Sequence, residues 1–256
     1  MSSENTRSSE TAEPKGKGRI ILFVAMLILT AAFVALGTWQ VQRLFWKLDL
    51  IARVDARVHA EPVSPPPAAS WDSVNAAEDE YRHVRIAGQF LNERETLVQA
   101  VTVRGPGFWV LTPLVSADGS TILVNRGFVP PERRDPASRA AGQIEGPTTV
   151  TGLLRITEPA GGFLRANDAQ NGRWYSRDVA AIAAAQKLER AAPYFIDAEA
   201  SATTPEAPVG GLTVVKFPNS HLTYIITWYC LALMAAAAAF YVLRGHWPFL
   251  GKKSKA

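Results

Sequence analysis

The chain has 256 residues, of which 48% are hydrophobic and 20% are charged, and its mean hydropathy of +0.02 is high for a soluble protein. The formal net charge is +4, but residues 40–220 carry 19 basic and 20 acidic side chains, so the positive excess lies in the tails. This distribution excludes nucleic-acid binding by a basic domain surface, and the hydropathy excludes a wholly soluble protein.

Two uncharged apolar runs account for the high hydropathy. They cover residues 20–41 and 222–243, and each is 22 residues long. A helix of roughly 20 apolar residues crosses a bilayer, so transmembrane helices are predicted at 20–41 and 221–243.

The first run exceeds the roughly 7–15 apolar residues of a cleaved signal peptide, and its acidic leader is unlike a mitochondrial transit peptide. We therefore expect an uncleaved anchor in a bacterial inner membrane.

The basic residues around the second run predict the orientation in the membrane. Lys216 is the only base just before this run, whereas Arg244 and three lysines follow it, and cytoplasmic flanks are enriched in Lys and Arg. The prediction therefore places residues 1–19 and 244–256 in the cytoplasm and the intervening domain, residues 42–220, in the periplasm.

Helical periodicity continues beyond the first run to about residue 58, which predicts a helical stem. The prolines at 62 and 65–67 then end the helix, because proline cannot continue one, and predict a Pro-rich linker with some stiffness. One stripe of this helix combines tryptophans with bases: Trp39, Arg43, Trp46 and Lys47. Such a stripe is typical of a membrane interface. The alternative is a docking surface for a partner helix or an anionic cofactor edge, with the polar Gln40 beside it, and the sequence leaves both open.

Residues 81–217 change to short β-type runs separated by glycine and proline turns. The predicted strands are 83–88, 96–103, 108–115, 121–129 and 148–157, with shorter candidates at 173–176, 194–197 and 212–217. The Ala-rich segment 178–190 predicts a helix with Asp178 near its start, and 130–147 and 198–211 are predicted loops. Two transmembrane helices flanking an antiparallel β-rich domain, a barrel or a sandwich with one or two short helices, are therefore expected.

The sequence matches no common catalytic motif. The chain has no P-loop, G-x-S-x-G or H-E-x-x-H motif, and its four histidines are widely separated. The only cysteine, Cys230, falls inside the second apolar run, which excludes an intramolecular disulfide, a thiol-exchange centre and covalent haem attachment. A non-enzymatic function is predicted.

His221 opens the second apolar run, after Asn219 and Ser220, which are both suited to cap a helix. A lone histidine at this position is either an interfacial polar residue or an axial ligand, since neutral imidazole suits haem iron. Tyr224 and Trp228 follow at i+3 and i+7 and share its helical face. They either line a flat apolar ligand or form part of the interfacial belt.

Arg126 lies near the end of a predicted strand, between Asn125 and Gly127. The structural interpretation is a strand end at which Gly127 permits a bulge or a close backbone approach. The functional interpretation gives Arg126 a buried carboxylate or propionate partner.

An ordered set of short motifs runs from residue 37 to residue 229. It consists of Gly37-Thr38-Trp39-Gln40 with Arg43, Trp46 and Lys47; Tyr81, Val84 and Gly88; Thr112-Pro113 and Asp118-Gly119; Val124-Asn125-Arg126-Gly127; and Asn219-Ser220-His221-Leu222 with Tyr224, Thr227 and Trp228. This set resembles the Surfeit locus family of cytochrome oxidase assembly factors. Phe128 stands where that family often has tryptophan, and residues 130–146 match weakly.

The resemblance implies a two-span membrane protein whose outer domain assists maturation of a haem-copper oxidase. Its implied partners are the oxidase catalytic subunit, proteins of haem a synthesis or other assembly proteins, and membrane lipid, and its implied cofactor is transiently bound haem a. A family role for the histidine of the second span carries over to His221, the candidate axial ligand.

Further residues complete the predicted site. The other candidate cofactor contacts are Tyr224, Trp228, Arg43, Lys47 and Arg126, and the candidate partner or structural residues are Trp39, Gln40, Trp46, Asn125 and Gly127. Two functions remain open, a haem-binding assembly chaperone and a scaffold that stabilises an oxidase intermediate without cofactor. A membrane enzyme acting on haem is disfavoured because catalytic residues are lacking.

Overall fold

The chain forms two compact units in a computed structural model that describes residues 15–162, 164–200, 207–215 and 217–244. Met1–Leu50 with Phe217–Ala256 form one, here called the helical unit, and Ile51–Lys216 form the other, here called the barrel unit. Lys216 and the lysines of the C-terminal tail lie outside the described residues, so the orientation inferred from them stays a prediction.

Two of the helices are long and apolar enough to cross a membrane. The helices are α1 (Lys15–Val58), α2 (Ala76–Asp79), α3 (Val179–Ala185) and α4 (His221–Arg244). The most apolar windows of α1 and α4 have mean hydropathies of 2.8 and 1.9. The predicted end of α1 is confirmed at Val58, just before the prolines that prevent its continuation.

Within the helical unit, α1 and α4 pack in antiparallel orientation. Arg19 of α1 donates hydrogen bonds to the carbonyls of Val242 at 2.8 Å and Leu243 at 2.9 Å, and so satisfies backbone groups that the end of α4 leaves unpaired. The buried face of α4 is made of small residues: Ala232, Ala235, Ala239 and Val242. Small residues allow membrane helices to approach closely.

The two helices also meet closely at Gly37. A Cβ there would lie 3.1 Å from ring carbons of Tyr229, which is closer than an ordinary side-chain contact. The Tyr229 hydroxyl lies 3.2 Å from Thr38 Oγ1. The absence of a side chain at position 37 therefore permits the ring to pack against α1.

Six strands form the barrel unit: β1 (His83–Phe90), β2 (Thr96–Thr102), β3 (Gly105–Ser116), β4 (Thr121–Val129), β5 (Pro147–Ile156) and β6 (Ala191–Ala198). The sheet order is β1-β5-β6-β4-β3-β2, and an additional β1–β3 pairing closes the barrel. The predicted β-rich domain is confirmed as a barrel rather than a sandwich. One pairing, β4–β6, is parallel, and the others are antiparallel.

β4 is the most buried strand, because all nine of its residues are buried. Successive side chains of a strand point to opposite faces, so Ile122 and Val124 pack into one core cluster and Leu123 into another. Because both faces of β4 are covered, two polar residues within the strand, Asn125 and Arg126, are buried as well.

The Pro-rich segment after α1 is attached to the barrel through Pro66. The Tyr194 hydroxyl donates to the Pro66 carbonyl at 2.8 Å, and Trp71 Nε1 donates to the same oxygen at 3.2 Å. Burial raises the pKa of Tyr194 to about 12. The predicted linker is therefore fixed at this point by a buried, neutral phenol.

Two of the shorter predicted strands are wrong. Residues 173–176 contribute isolated bridges rather than a strand, because so short a run supplies few ladder hydrogen bonds. The described part of 212–217 has no strand either. Val209 pairs with Phe128 instead, and Gly211, with φ +70, then turns the chain.

The predicted helix at 178–190 is shorter than expected. It forms α3, whose N-cap is Asp178, the side chain of which accepts from the Ala181 N–H at 3.1 Å. Lys187 has φ +52, a left-handed conformation that a right-handed helix cannot include. The Ala-rich composition predicted a helix here, and the helix is present. It ends at Ala185, because the backbone turns before residue 190.

Candidate functional site

His221 is the first residue of α4 in the helical unit. Its backbone N–H donates to Asn219 Oδ1 at 3.3 Å, and the Ser220 carbonyl accepts from the Tyr224 N–H at 3.3 Å. Asn219 thus satisfies one of the N–H groups that a helix start leaves unpaired. The imidazole is not needed for this capping.

The His221 ring is hydrogen-bonded to α1. Its Nδ1 lies 2.7 Å from Oε1 of Gln40, whose side chain is nearly buried, with the residue 9% exposed. An amide oxygen only accepts hydrogen bonds, so Nδ1 carries the proton and donates. In the neutral ring, Nε2 then holds the free lone pair. Gln40 thereby fixes both the orientation and the tautomer of His221.

The bases of the stripe on α1 lie against aromatic rings. The Arg43 guanidinium carbon is 4.8 Å from the centroid of Trp46 and 6.0 Å from that of Trp39. The Lys47 ammonium is 5.0 Å from the centroid of Phe217. Both cations are ordered by contacts of the cation–π type, and at i+3 and i+7 they share the helical face of Gln40.

Trp228 lies about two turns beyond His221 and stacks on Phe33, with ring centroids 5.8 Å apart. Its indole Nε1 is buried and has no hydrogen-bond partner among the residues that the structure describes. Tyr224, one turn after His221, is 51% exposed. Trp228 therefore has a buried donor that no described residue satisfies, and Tyr224 has an accessible ring.

Arg126 lies on β4 in the barrel unit and is 8% exposed. Its Nη2 donates to the Gly142 carbonyl and its Nη1 to Gln143 Oε1 at 3.4 Å, while the guanidinium carbon lies 5.0 Å from the Phe90 centroid. Within the described ranges, no carboxylate forms an ion pair with Arg126. The carboxylate partner that the sequence suggested is therefore not provided by those residues.

Asn125 and Gly127 support the local architecture of the barrel. The Asn125 amide donates to Asp197 Oδ1 at 2.8 Å and accepts from the Gly127 N–H at 3.1 Å. Gly127 has φ +127, and a Cβ there would collide with the backbone of Val209. These contacts explain both residue types through a close backbone approach, without a ligand.

One buried pair in the barrel unit escaped the sequence analysis. Residues 130–147, predicted to be a loop, contain two short 3-10 helices, Pro131–Arg133 and Pro136–Gly142. The second helix carries the fully buried Arg139, which forms a bidentate ion pair with Glu95. The partners are 44 residues apart, so no local sequence pattern could have identified them.

Comparison with known proteins gives one family for both units. The model of the SURF1 family matches residues 27–233, a range that includes Gln40, Arg126 and His221.

Individual relatives match most of the chain. Surfeit locus protein 1 of Rattus norvegicus is 40% identical over 240 residues, covering 88% of this chain and 76% of the relative. The Homo sapiens protein of the same name is 38% identical over 242 residues, covering 88% and 78%. A SURF1-like protein of Monosiga brevicollis is 36% identical over 261 residues, covering 97% and 94%.

Proposed function

The chain belongs to the SURF1 family, and we propose that it assists assembly of a haem-copper oxidase by holding haem a on His221. The family is that of cytochrome c oxidase assembly factors, which agrees with the predicted non-enzymatic role. The proposed partner is the oxidase catalytic subunit, and proteins of haem a synthesis or other assembly proteins are further candidates.

The hydrogen bond between Gln40 and His221 carries this proposal. A neutral imidazole that ligates a metal commonly donates its other ring N–H to an acceptor that orients it. Gln40 Oε1 accepts from Nδ1 at 2.7 Å, which leaves Nε2 able to bind iron. A histidine acting only as a helix cap would need no such support, since Asn219 already accepts from the start of α4.

The residues around His221 fit haem better than a bare metal ion. Among the residues described, no cluster of three or more His, Cys, Asp or Glu side chains could hold a metal ion. Haem brings four nitrogen ligands in its macrocycle, so one protein imidazole suffices as an axial ligand. The exposed ring of Tyr224 on the same helix suits a flat apolar group.

Arg43 and Lys47 are the proposed partners for the haem propionates. Both lie on the face of α1 that carries Gln40, and each is held against an aromatic ring. Charge-assisted hydrogen bonds to a carboxylate are roughly twice as strong as neutral ones. These bases would therefore retain haem, whereas His221 would set the coordination of its iron.

The proposed location is a bacterial inner membrane, with both termini in the cytoplasm and the barrel unit in the periplasm. Support comes from the two apolar helices and from the bases that follow the second one. Reporter fusions after residues 20 and 250 should report cytoplasm, and a fusion near Gly119 should report periplasm. A cytoplasmic signal from the fusion near Gly119 would contradict this topology.

The scaffold without cofactor remains the second candidate function. Val101 and Val103, near the turn between β2 and β3, are 87% and 92% exposed. A contiguous patch of exposed apolar side chains marks a protein contact, whereas single exposed side chains are ordinary. A scaffold would lower oxidase accumulation when deleted, as a chaperone would, but the purified protein would carry no pigment.

Haem content of the purified protein tests the proposal. Wild type, His221→Ala and the control His59→Ala are purified from cells able to make haem a, and haem per protein is measured with the optical spectrum. His59 is a matched control because its side chain is 73% exposed. His221→Ala should accumulate but lose haem, and His59→Ala should behave as wild type. Unchanged haem content and spectrum in His221→Ala would reject the ligand.

A deletion strain tests the assembly role separately. Oxidase activity should fall while transcripts of the oxidase subunits stay normal, because an assembly factor acts after synthesis. Complementation with wild type should restore activity, and complementation with His221→Ala should not. Normal oxidase activity and haem content after deletion, with no paralogue present, would overturn the role.

A further inference from the structure

A cavity of about 280 Å³ lies within the barrel unit, beside Arg126. Phe90, Val124, Ile144 and Val150 provide apolar walls, and Thr148, on the same face of β5 as Val150, provides a hydroxyl group. Its volume is at the small end of ligand pockets, which start at roughly 300 Å³. The space suits a small group, and a buried cation faces it.

The charges beside this cavity do not balance. Arg139 and Glu95 form a bidentate pair in which Arg139 Nη1 lies 2.8 Å from one carboxylate oxygen and Nη2 contacts the other. Both oxygens of Glu95 are therefore engaged by Arg139. Two buried guanidiniums share one carboxylate, and Arg126 is the cation left over. Burial lowers the pKa of Arg126, the shared Glu95 raises it, and the neighbouring Arg139 lowers it.

Glu199, which also lines the cavity, lies beside His83 rather than Arg126. Its Oε1 lies 2.8 Å from His83 Nε2, and it forms no ion pair with Arg126. A buried charge that has no carboxylate of its own is costly, and among the described residues Arg126 has only a share in Glu95.

The Arg126 guanidinium has donors to spare. It carries five N–H groups, and within the described ranges two hydrogen bonds use them, to Gly142 and to Gln143. The Phe90 ring packs at 5.0 Å from the guanidinium carbon and restricts its plane. A planar fork of this kind matches a carboxylate through two parallel hydrogen bonds.

We propose that this cavity is a carboxylate-binding site, in which Arg126 pairs with a carboxylate on a short aliphatic stem and the hydroxyl of Thr148 donates to the same group. The carboxylate is that of a free small acid or of a glutamate side chain of a partner protein, since both present the same chemistry. The site lies entirely in the barrel unit, so it is independent of haem binding at His221.

Calorimetric titration of the haem-free full chain in detergent tests this site. The probes are propionate, a capped peptide with a single glutamate, and propionamide as the uncharged analogue. Binding of propionate alone identifies a free acid, and binding of the peptide identifies an acidic side chain. Binding of neither probe, or equal binding of propionamide, would overturn the proposal.

Substitutions at the cavity show whether a loss of affinity comes from the binding site or from a loss of folding. Arg126→Gln should weaken binding at least tenfold and Arg126→Lys should also weaken it, because an ammonium lacks the planar fork. Thr148→Val should cause a smaller loss, and Arg104→Gln, at an exposed arginine of the same unit, should cause none. Thermal unfolding of each unliganded variant shows whether it is folded. Unchanged affinity in folded Arg126→Gln would contradict the site.

A control must exclude that Arg126 pairs with Glu206 of the same chain, which lies outside the described residues. If its carboxylate were the natural partner of Arg126, wild type would not bind propionate and Glu206→Gln would gain binding. That result would overturn a site for an external ligand. Equal binding by wild type and Glu206→Gln is the result expected.

Discussion

The barrel unit and the helical unit each contain a hydrogen-bonded polar side chain, Asp197 and His221, and the two side chains differ in how fully their donors and acceptors are satisfied. The buried Asp197 carboxylate of the barrel accepts four hydrogen bonds within 3.1 Å, from Asn125, Arg155, Arg177 and Thr213. The His221 ring of the helical unit has one to the residues that the structure describes, namely to Gln40. The four hydrogen bonds of the first arrangement occupy the Asp197 carboxylate, whereas the second leaves His221 Nε2 available.

This difference separates structural polar groups from groups that bind a cofactor. A buried polar network that is fully satisfied makes a fold more specific, and each missing partner in it is costly. A side chain that is oriented by one hydrogen bond and open at its other end is prepared for an external partner. Substitutions in the barrel network should therefore reduce folded protein, and substitutions around His221 should reduce bound haem.

The largest effect is expected for Asp197→Ala, which removes the acceptor at the centre of the barrel network. Loss of a buried ion-pair partner costs about 3–5 kcal/mol. We expect about 3 kcal/mol, the low end of that range, because Arg155 keeps Glu80 and Arg177 keeps Glu158.

Denaturant unfolding measures this cost, with the exposed Asp72→Ala as the control. Haem per folded protein should not change in either variant. A stable Asp197→Ala protein that has lost haem would contradict the structural role.

Gln40→Leu should have the next largest effect, and it should act on haem rather than on folding. Loss of an orienting partner of a metal ligand typically lowers affinity by about 10–100-fold. Gln40→Glu keeps an acceptor for Nδ1 and should bind haem more tightly than Gln40→Leu. Haem titration of the purified variants measures both. Equal affinities for wild type and Gln40→Leu would show that the hydrogen bond does not support ligation.

The smallest effect is expected for Tyr194→Phe, which removes one hydrogen bond in the barrel unit and costs about 1 kcal/mol at neutral pH. The pKa of Tyr194 is raised to about 12 in the folded state, compared with about 10 in an unfolded chain. The neutral phenol therefore stabilises the fold at pH values below 10, and this stability is lost as the pH rises from 10 towards 12.

Unfolding experiments across that alkaline range check the prediction. Wild type should lose stability with rising pH more steeply than Tyr194→Phe, since the variant lacks the titrating group. Parallel pH profiles for the two proteins would contradict a buried neutral phenol at this position.

Local patterns predicted much of the fold. The β-type run at 121–129 and the prolines after residue 58 have direct physical consequences for neighbouring residues, and β4 and the end of α1 appear where those signals lie. The closure of the barrel depends instead on pairing between Gly88 and Ser116. Pairing between strands separated along the chain has no signature in either strand alone, so it could not be predicted.

For the candidate site, the sequence likewise predicted individual residues but not the contacts between them. His221 was identified from its place at the start of an apolar run and from the family resemblance, but its contact with Gln40 joins residues 181 positions apart. Gln40 was noted as a polar neighbour of the stripe on α1, and nothing in the sequence indicated which partner it has. Arg126 was noted as well, whereas its surplus charge becomes visible only when Arg139 and Glu95 are found together.

The coordinating atom of His221 can be observed by electron–nuclear double resonance on haem-loaded protein with nitrogen-15 histidine. Wild type should show iron bound through Nε2, together with an exchangeable Nδ1 proton whose coupling changes in Gln40→Leu, because the proton loses its acceptor. The control His59→Ala should give the wild-type spectrum. Iron bound through Nδ1, or a spectrum without histidine nitrogen coupling, would contradict ligation by a His221 ring that Gln40 orients.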